Sequence, residues 1–310
     1  MIWESLTLES AMQAVEDACQ QRLTNVCIPR NSYINRVYEM ELDSQDRVIA
    51  KFYRPNRWST DMILGEHFFL KHAHDNDLPV IPPLTFNDKT LFMLDEIPFA
   101  LFPKKGGRVM DEFNEDLWKE TGRLLGRLHN LGQTITDSGR MKWRPKIATT
   151  RHLKTLCDCG VIPEDYRAVS IRAIEQFIQK ADSLFSRCEM FLIHGDCHYG
   201  NIIYRPGEHV YLVDFDDVVI GPSVQDVWML LPDETGQCKQ ELAWFQEGYS
   251  VFRDFSAREL DLIPALRIMR QIHFAAWCAV QSQEAHFQHH FPDWGSTKYW
   301  NEWVKSILGF

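Results

Sequence analysis

One stretch constrains the fold of this chain more than any other: FLIHGDCHYGNIIYRPGEHVYLVDFDD, from Phe191 to Asp217. Two short apolar runs, Asn201 to Tyr204 and Val210 to Phe215, flank Arg205-Pro206-Gly207-Glu208, where proline and glycine mark a turn. The pattern predicts a β-hairpin, and a hairpin fixes register. Asn201 at the start of one arm then lies beside Asp214 at the end of the other. Both offer oxygen donors, the ligand type that a hard Mg²⁺ ion prefers. Asp196 falls on the loop that enters the hairpin. A carboxylate to accept a hydroxyl proton, then an Asn and an Asp to hold metal on nucleotide phosphates, is the arrangement that phosphoryl transfer uses. Each of the three alone reads as ordinary turn chemistry; the constellation is specific. His194, Cys197 and His198 are softer ligands, but no complete second ligand set accompanies them.

Upstream, Leu8, Met12, Val15 and Cys19 recur at helical spacing and predict a first amphipathic helix ending near Arg22. Asn31 to Leu42 alternates as a strand, and Arg47 to Tyr53 makes a second beyond the polar loop Ser44-Gln45-Asp46. Neither GxGxxG nor GxxxxGK[ST] occurs here, so a Rossmann or P-loop site has no support. Lys51 sits in an otherwise apolar strand, where an unpaired ammonium is costly. Ser59 or Thr60 can cap a helix to about His74, on which Ile63, Glu66 and Leu70 share the inward face. A carboxylate on that face calls for a cation, and Lys51 is the candidate.

Strands near Leu91 to Asp95 and Phe99 to Phe102 close the small sheet, and Phe102-Pro103-Lys104-Lys105-Gly106-Gly107 is the candidate hinge. Beyond it the pattern turns helical. Asn114 caps a run with Leu117, Thr121, Leu124, Leu125 and Leu128 on one face, and a second long helix extends from Pro163 to about Arg187. Asp226 lies among Val224, Val227, Trp228 and Leu230, company in which a carboxylate needs backbone N–H partners. The expected fold class is α+β and bilobal, a small antiparallel-sheet lobe over residues 1–103 and a larger, mainly helical lobe over 104–310.

The formal net charge of −10 opposes a nucleic-acid partner, which needs a basic footprint. No apolar run is long enough to span a membrane, and the acidic N-terminus MIWESLTLES is unlike a secretory leader. The eight cysteines read as reduced thiols. The expectation is a cytoplasmic monomer.

The runs NSYINRVY, AKFYRPNRW, FALFPKKGGR, GRLLGRLH, HGDCHYGN, VDFDD and GPSVQDVWMLL together resemble the aminoglycoside phosphotransferase and choline kinase group, which shares the protein-kinase fold. More narrowly, they are similar to the stress response kinase A family of bacterial Ser/Thr protein kinases. HGD, Asn201 and Asp214 carry the broad likeness; the Asn-Ser-Tyr loop and the KFYRP run carry the narrow one. The resemblance implies ATP as co-substrate with Mg²⁺, Asp196 and Asp214 as catalytic residues, and Asn201 and Asp214 as metal ligands. It implies Lys51 held by Glu66 on the phosphates, Ser32 covering them in place of a glycine loop, and Asp226 bracing the catalytic loop. It also implies proteins with Ser or Thr acceptors as substrates. Two alternatives share these residues: a kinase of aminoglycosides, choline, homoserine or sugar amines, and a nucleotide-binding pseudokinase module. HGD for HRD, DFD for DFG and the lack of an APE segment depart from the eukaryotic pattern of activation-loop control.

Overall fold

The computed structural model describes residues 3, 6–136, 138–233, 236–284 and 287–310. By internal packing the chain forms two compact units. The first comprises Met1–Gly139, Asp196–Val218 and Gln240–Arg253, and the second Arg140–Gly195, Val219–Lys239 and Asp254–Phe310.

The first unit opens with α1 (Leu8–Cys19), started by a capping box in which Thr7 and Ser10 exchange side-chain and backbone bonds. Its buried face is Ala11, Ala14, Val15, Ala18 and Cys19, whereas Leu8 is exposed. The expected stripe is therefore corrected toward smaller residues. These let α1 share one apolar cluster with Tyr38, Met40, Val48, Phe52 and Phe99 of the sheet.

That sheet is antiparallel, in the order β1-β2-β3-β5-β4. Its first three strands are β1 (Leu23–Arg30), β2 (Arg36–Leu42) and β3 (Arg47–Phe52). The strand expected from Asn31 begins only at Arg36, and β1 was not legible. A register shift between Leu23 and Cys27 breaks its alternation, and as an edge strand it is at most partly buried. α2 (Thr60–Asp75) follows, with Ser59 as N-cap accepting from the Met62 N–H at 3.3 Å. Ile63, Glu66 and Leu70 are all buried on it. β4 (Phe92–Leu94) and β5 (Ile97–Pro103) complete the sheet, and β5 pairs with β3 so that Lys51 faces Ala100. After the short β6 (Arg108–Val109), α3 (Glu115–Thr134) starts at Asn114, whose side chain accepts from the Leu117 N–H at 3.0 Å.

In the second unit, α4 (Thr150–Cys159) was not anticipated; α5 (Glu164–Ala181) passes into a 3₁₀ turn over Asp182–Arg187. β7 (Phe191–Ile193) then leads to the hairpin of the first unit, β8 (Ile202–Tyr204) and β9 (Val210–Leu212), with β6 pairing on its outer edge. β10 (Val219–Gly221) returns to the second unit and pairs with β7; the helix holding Asp226 is only the four-residue α6 (Gln225–Trp228). α7 (Lys239–Tyr249) packs on α3 in the first unit. There Gly248 and Gly122 bring backbones so close that a Cβ on Gly248 would sit 2.0 Å from the Lys119 carbonyl oxygen. The second unit ends in α8 (Ile263–Gln281), α9 (Phe287–His290) and α10 (Thr297–Leu308). Its core draws on Phe177, Phe185, Met269, Ile272, Trp300 and Trp303, so those tryptophans are packing residues.

Candidate active site

The hairpin forms in the register that its turn dictates: Ile202 faces Leu212, Ile203 faces Tyr211, and Tyr204 faces Val210. One step beyond the ladder, the Val213 N–H donates to the Asn201 carbonyl at 3.0 Å, which places Asn201 and Asp214 at the same end. Asp214 adopts φ 61° and ψ 69°, a left-handed conformation that Asp tolerates better than most residues and that ends β9 abruptly. The Asn201 amide nitrogen donates to the Asp196 carbonyl at 2.9 Å, tying the base candidate's backbone to the hairpin. This bond also orients the Asn201 amide, leaving its oxygen as the end for a ligand. His198 lies 3.6 Å from the Asp196 carboxylate.

Lys51 reaches across to the end of this hairpin. Its ammonium is 3.0 Å from Asp214 Oδ1 and is hydrogen-bonded to Asp216. Burial works against the charge, but Asp214, Asp216 and Glu66 together outweigh it and hold the lysine well above its ordinary value. Lys51 is thus an ammonium throughout the neutral range. Glu66 is buried and contributes its field to Lys51, while the Tyr53 hydroxyl donates to it at 3.5 Å. Lys51 makes its ion pairs with Asp214 and Asp216, while Glu66, the partner expected from sequence, acts on it through its field.

Two further side chains hold this cluster. Asn35, also buried, donates to Asp216 Oδ2 at 2.7 Å and accepts from the Arg54 N–H at 3.2 Å. Arg57 donates to Asp216 at 3.2 Å and grips both oxygens of Asp217 at 2.8 and 2.9 Å. Burial lowers the affinity of Arg57 for its proton, and Asp217 and Asp216 more than restore it. Both residues lie inside runs that the sequence marked, NSYINRVY and AKFYRPNRW, but neither was singled out. Nothing local distinguishes them, because their partners are more than 150 positions away.

Ser32 Oγ accepts from the Asn35 N–H at 3.3 Å, so its hydroxyl hydrogen remains available to donate. A cavity of about 740 Å³ within the first unit is lined by Ser32, Lys51, Glu66, Asp196, Asn201 and Asp214. All six candidate site residues therefore converge on one space, whose wall also includes the Phe102–Gly107 segment. In the second unit, Asp226 is fully buried and accepts from the N–H groups of His194 at 2.8 Å and Gly195 at 2.7 Å. Those are the two residues that precede Asp196 in the chain. Gly195 takes φ 83°, a left-handed conformation that favours glycine.

The phosphotransferase enzyme family, APH, matches residues 26–262. The chain belongs to this family. It is 35% identical over 284 residues to stress response kinase A of Escherichia coli (strain K12), which covers 90% of this chain and 85% of that protein. It is also 35% identical over 285 residues to the serine/threonine protein kinase RdoA of Salmonella typhimurium, with the same shares. Among solved structures, the amicoumacin kinase hAmiN in complex with AMP-PNP, Ca²⁺ and Ami superposes with a TM-score of 0.79 at 18% identity, over 99% of this chain and 95% of that one. A microcompartment-associated aminopropanol kinase gives 0.72 at 18% identity, over 98% and 95%. The α+β architecture, an antiparallel sheet followed by a mainly helical remainder, is thus that of APH-type kinases, and the chain is a phosphotransferase of that family.

Proposed function

We propose that this APH-family enzyme transfers the γ-phosphate of ATP to a Ser or Thr hydroxyl of a protein, in a bacterial stress response. The observation that carries the phosphoryl-transfer part of the reading is the convergence of Ser32, Lys51, Glu66, Asp196, Asn201 and Asp214 on one cavity. In this reading residues 1–103 supply the nucleotide-binding lobe and 104–310 the catalytic and acceptor-binding lobe. Asp196 orients the acceptor hydroxyl and takes its proton. Lys51, fixed by the carboxylates around it, meets the phosphates, and Ser32 donates to them from above.

The donor set fits a hard cation. Asn201 commits its amide nitrogen to the Asp196 carbonyl and keeps its amide oxygen for a ligand, and the Asp214 side chain is half exposed, so both offer oxygen at the same end of the hairpin. A Mg²⁺ ion held there would neutralise phosphate charge during transfer. Asp214 shares one oxygen with Lys51, so ammonium and cation would be anchored by one carboxylate.

The acceptor class draws on two supports. The relatives with which the chain shares a third of its residues include one named as a serine/threonine protein kinase. Asp216 and Asp217, which would favour a cationic small acceptor if free, are instead engaged by Lys51, Asn35 and Arg57. No described helix is long and apolar enough to cross a membrane, and the expectation of a cytoplasmic monomer is carried into the proposal. Initial rates with Mg²⁺-ATP on a generic basic protein, an amino alcohol, homoserine and an aminoglycoside test it. Transfer to the protein is expected; transfer to a small hydroxyl compound alone, with KM in the usual micromolar to millimolar range, would overturn it.

A further inference from the structure

A second cavity of the first unit, about 1150 Å³, shares Ile81 and the Pro103–Lys105 segment with the cavity described above but none of the six candidate site residues. One wall is the segment 78–85, LPVIPPLT, where Pro79, Pro82 and Pro83 lack N–H groups. Its remaining backbone is partly committed, with the Leu212 N–H bonded to the Pro79 carbonyl at 3.1 Å and the Leu84 N–H to the Leu101 carbonyl at 2.7 Å. A ligand there is recognised by side chains, not by strand addition. The floor is apolar and includes Ile81, Leu84 and Phe252, which keep accessible surface.

The rim is basic in a molecule of net charge −10. Lys104, Lys105, Arg123, Arg127 and Arg205 line the cavity beside Asp77 and Glu120; Glu208 pairs with Lys105 at 3.3 Å and Arg205 at 2.7 Å, and Glu39 lies 3.9 Å from Lys104, so the two arginines of α3 carry the charge open to a ligand. Glu120 is already engaged, accepting from the Val210 N–H at 2.9 Å. Arg127 is oriented by the Asn76 carbonyl at 2.6 Å and by the Phe252 ring. The exposed Arg123 guanidinium makes no hydrogen bond or ion pair with the described residues. Arg123 and Arg127 are one turn apart on α3, a rise of about 6 Å. Alternate side chains of an extended peptide are spaced by about 6.6 Å, so carboxylates at every second position match the two arginines.

We infer that this groove docks an extended acidic segment of a partner protein, with carboxylates on the arginine rim and intervening apolar side chains on the floor. On the protein-kinase reading, on which this identification of the partner rests, the partner is the phosphate acceptor. The occupant is a peptide rather than a compact polyanion because the lining is apolar as well as basic.

The test is a fluorescence-anisotropy titration of the full chain with a labelled twelve-residue peptide alternating Glu and Leu, without Ser, Thr or Tyr. Micromolar binding is expected, weakened at least tenfold by Arg123→Glu and by raised salt. A Glu/Gly peptide should bind at least tenfold more weakly. Absence of binding, equal binding by Arg123→Glu, or equal binding of the Glu/Gly peptide or of inorganic polyphosphate would overturn the groove assignment. A second arm joins the Glu/Leu segment to a Ser-containing basic peptide. Its kcat/KM should exceed that of the unjoined peptide about tenfold through effective concentration, and the gain should vanish in Arg123→Glu. Arg123-dependent binding of the label combined with transfer only to small hydroxyl compounds would overturn the acceptor identity while leaving the groove. Transfer to the joined and unjoined peptides at equal kcat/KM would overturn docking while leaving the kinase reading.

Discussion

At the scale of single residues the site is a charge cluster in which Asp214, Asp216 and Asp217 each have an assigned holder. Asp216, nearly inaccessible to solvent, is bonded by Lys51, Arg57 and Asn35. Removing Arg57 takes away a charged partner of a buried carboxylate, a change that costs about 3 kcal/mol or more. Arg57→Gln should therefore lower the urea midpoint markedly, with Arg57→Lys recovering only part because lysine lacks the fork that grips Asp217. Equal midpoints for Arg57→Gln and the parent would show that the grip is not structural. Asp196→Asn should behave in the opposite way, slowing transfer by about 10²-fold or more while ATP binding and stability stay near the parent values. Isothermal titration with nucleotide beside a rate assay separates the two. Asp196, Asn201 and Asp214 were legible because the chain itself encodes their proximity through one turn. Asn35 and Arg57 were not, since only the folded sheet brings them to residues far along the chain.

Elements were legible where local chemistry marks their ends. Ser59 and Asn114 announce α2 and α3, and Pro206-Gly207 announces the hairpin. β1 lacks such signals, with its register shift and solvent-facing side chains, and α4 follows Trp143-Arg144-Pro145 without a side-chain cap. The burial of Glu66 followed from its place between Ile63 and Leu70 on α2, whereas the carboxylates that bond Lys51 depended on tertiary structure. Glu66→Gln removes part of the field around Lys51, and it should lower kcat with little change in thermal midpoint. Early melting with normal turnover at low temperature would make Glu66 purely structural. Where α3 meets α7, the glycines of GRLLGRLH and Gly248 have a steric reason. Gly248→Ala would force a Cβ against the Lys119 carbonyl and should destabilise the fold by about 1–3 kcal/mol. A denaturation curve unchanged by that substitution would mean that the helices separate freely.

For the molecule as a whole, stability should depend on pH through His152 of the second unit. Burial, with His273 adding to it, brings its pKa down to about 2. Released on unfolding, the imidazole titrates near 6.5, so between about pH 6.5 and 2 the unfolded chain binds a proton that the folded chain refuses. Stability from this residue is complete above the unfolded value and falls as pH drops, by about 2 kcal/mol from pH 7.5 to 5. His152→Gln should remove that part of the slope in urea denaturation at the two pH values. An identical slope would show His152 protonated in the fold. The central claim concerns what the cavity of the first unit does. Phosphoamino-acid analysis after incubation with [γ-³²P]ATP, Mg²⁺ and a mixed protein acceptor tests it most directly. Mg²⁺-dependent label on Ser or Thr, reduced about 10²-fold or more in Asp196→Asn, is the predicted result. Label that is equal in Asp196→Asn, or found on no protein residue while a small hydroxyl compound is phosphorylated, would contradict it.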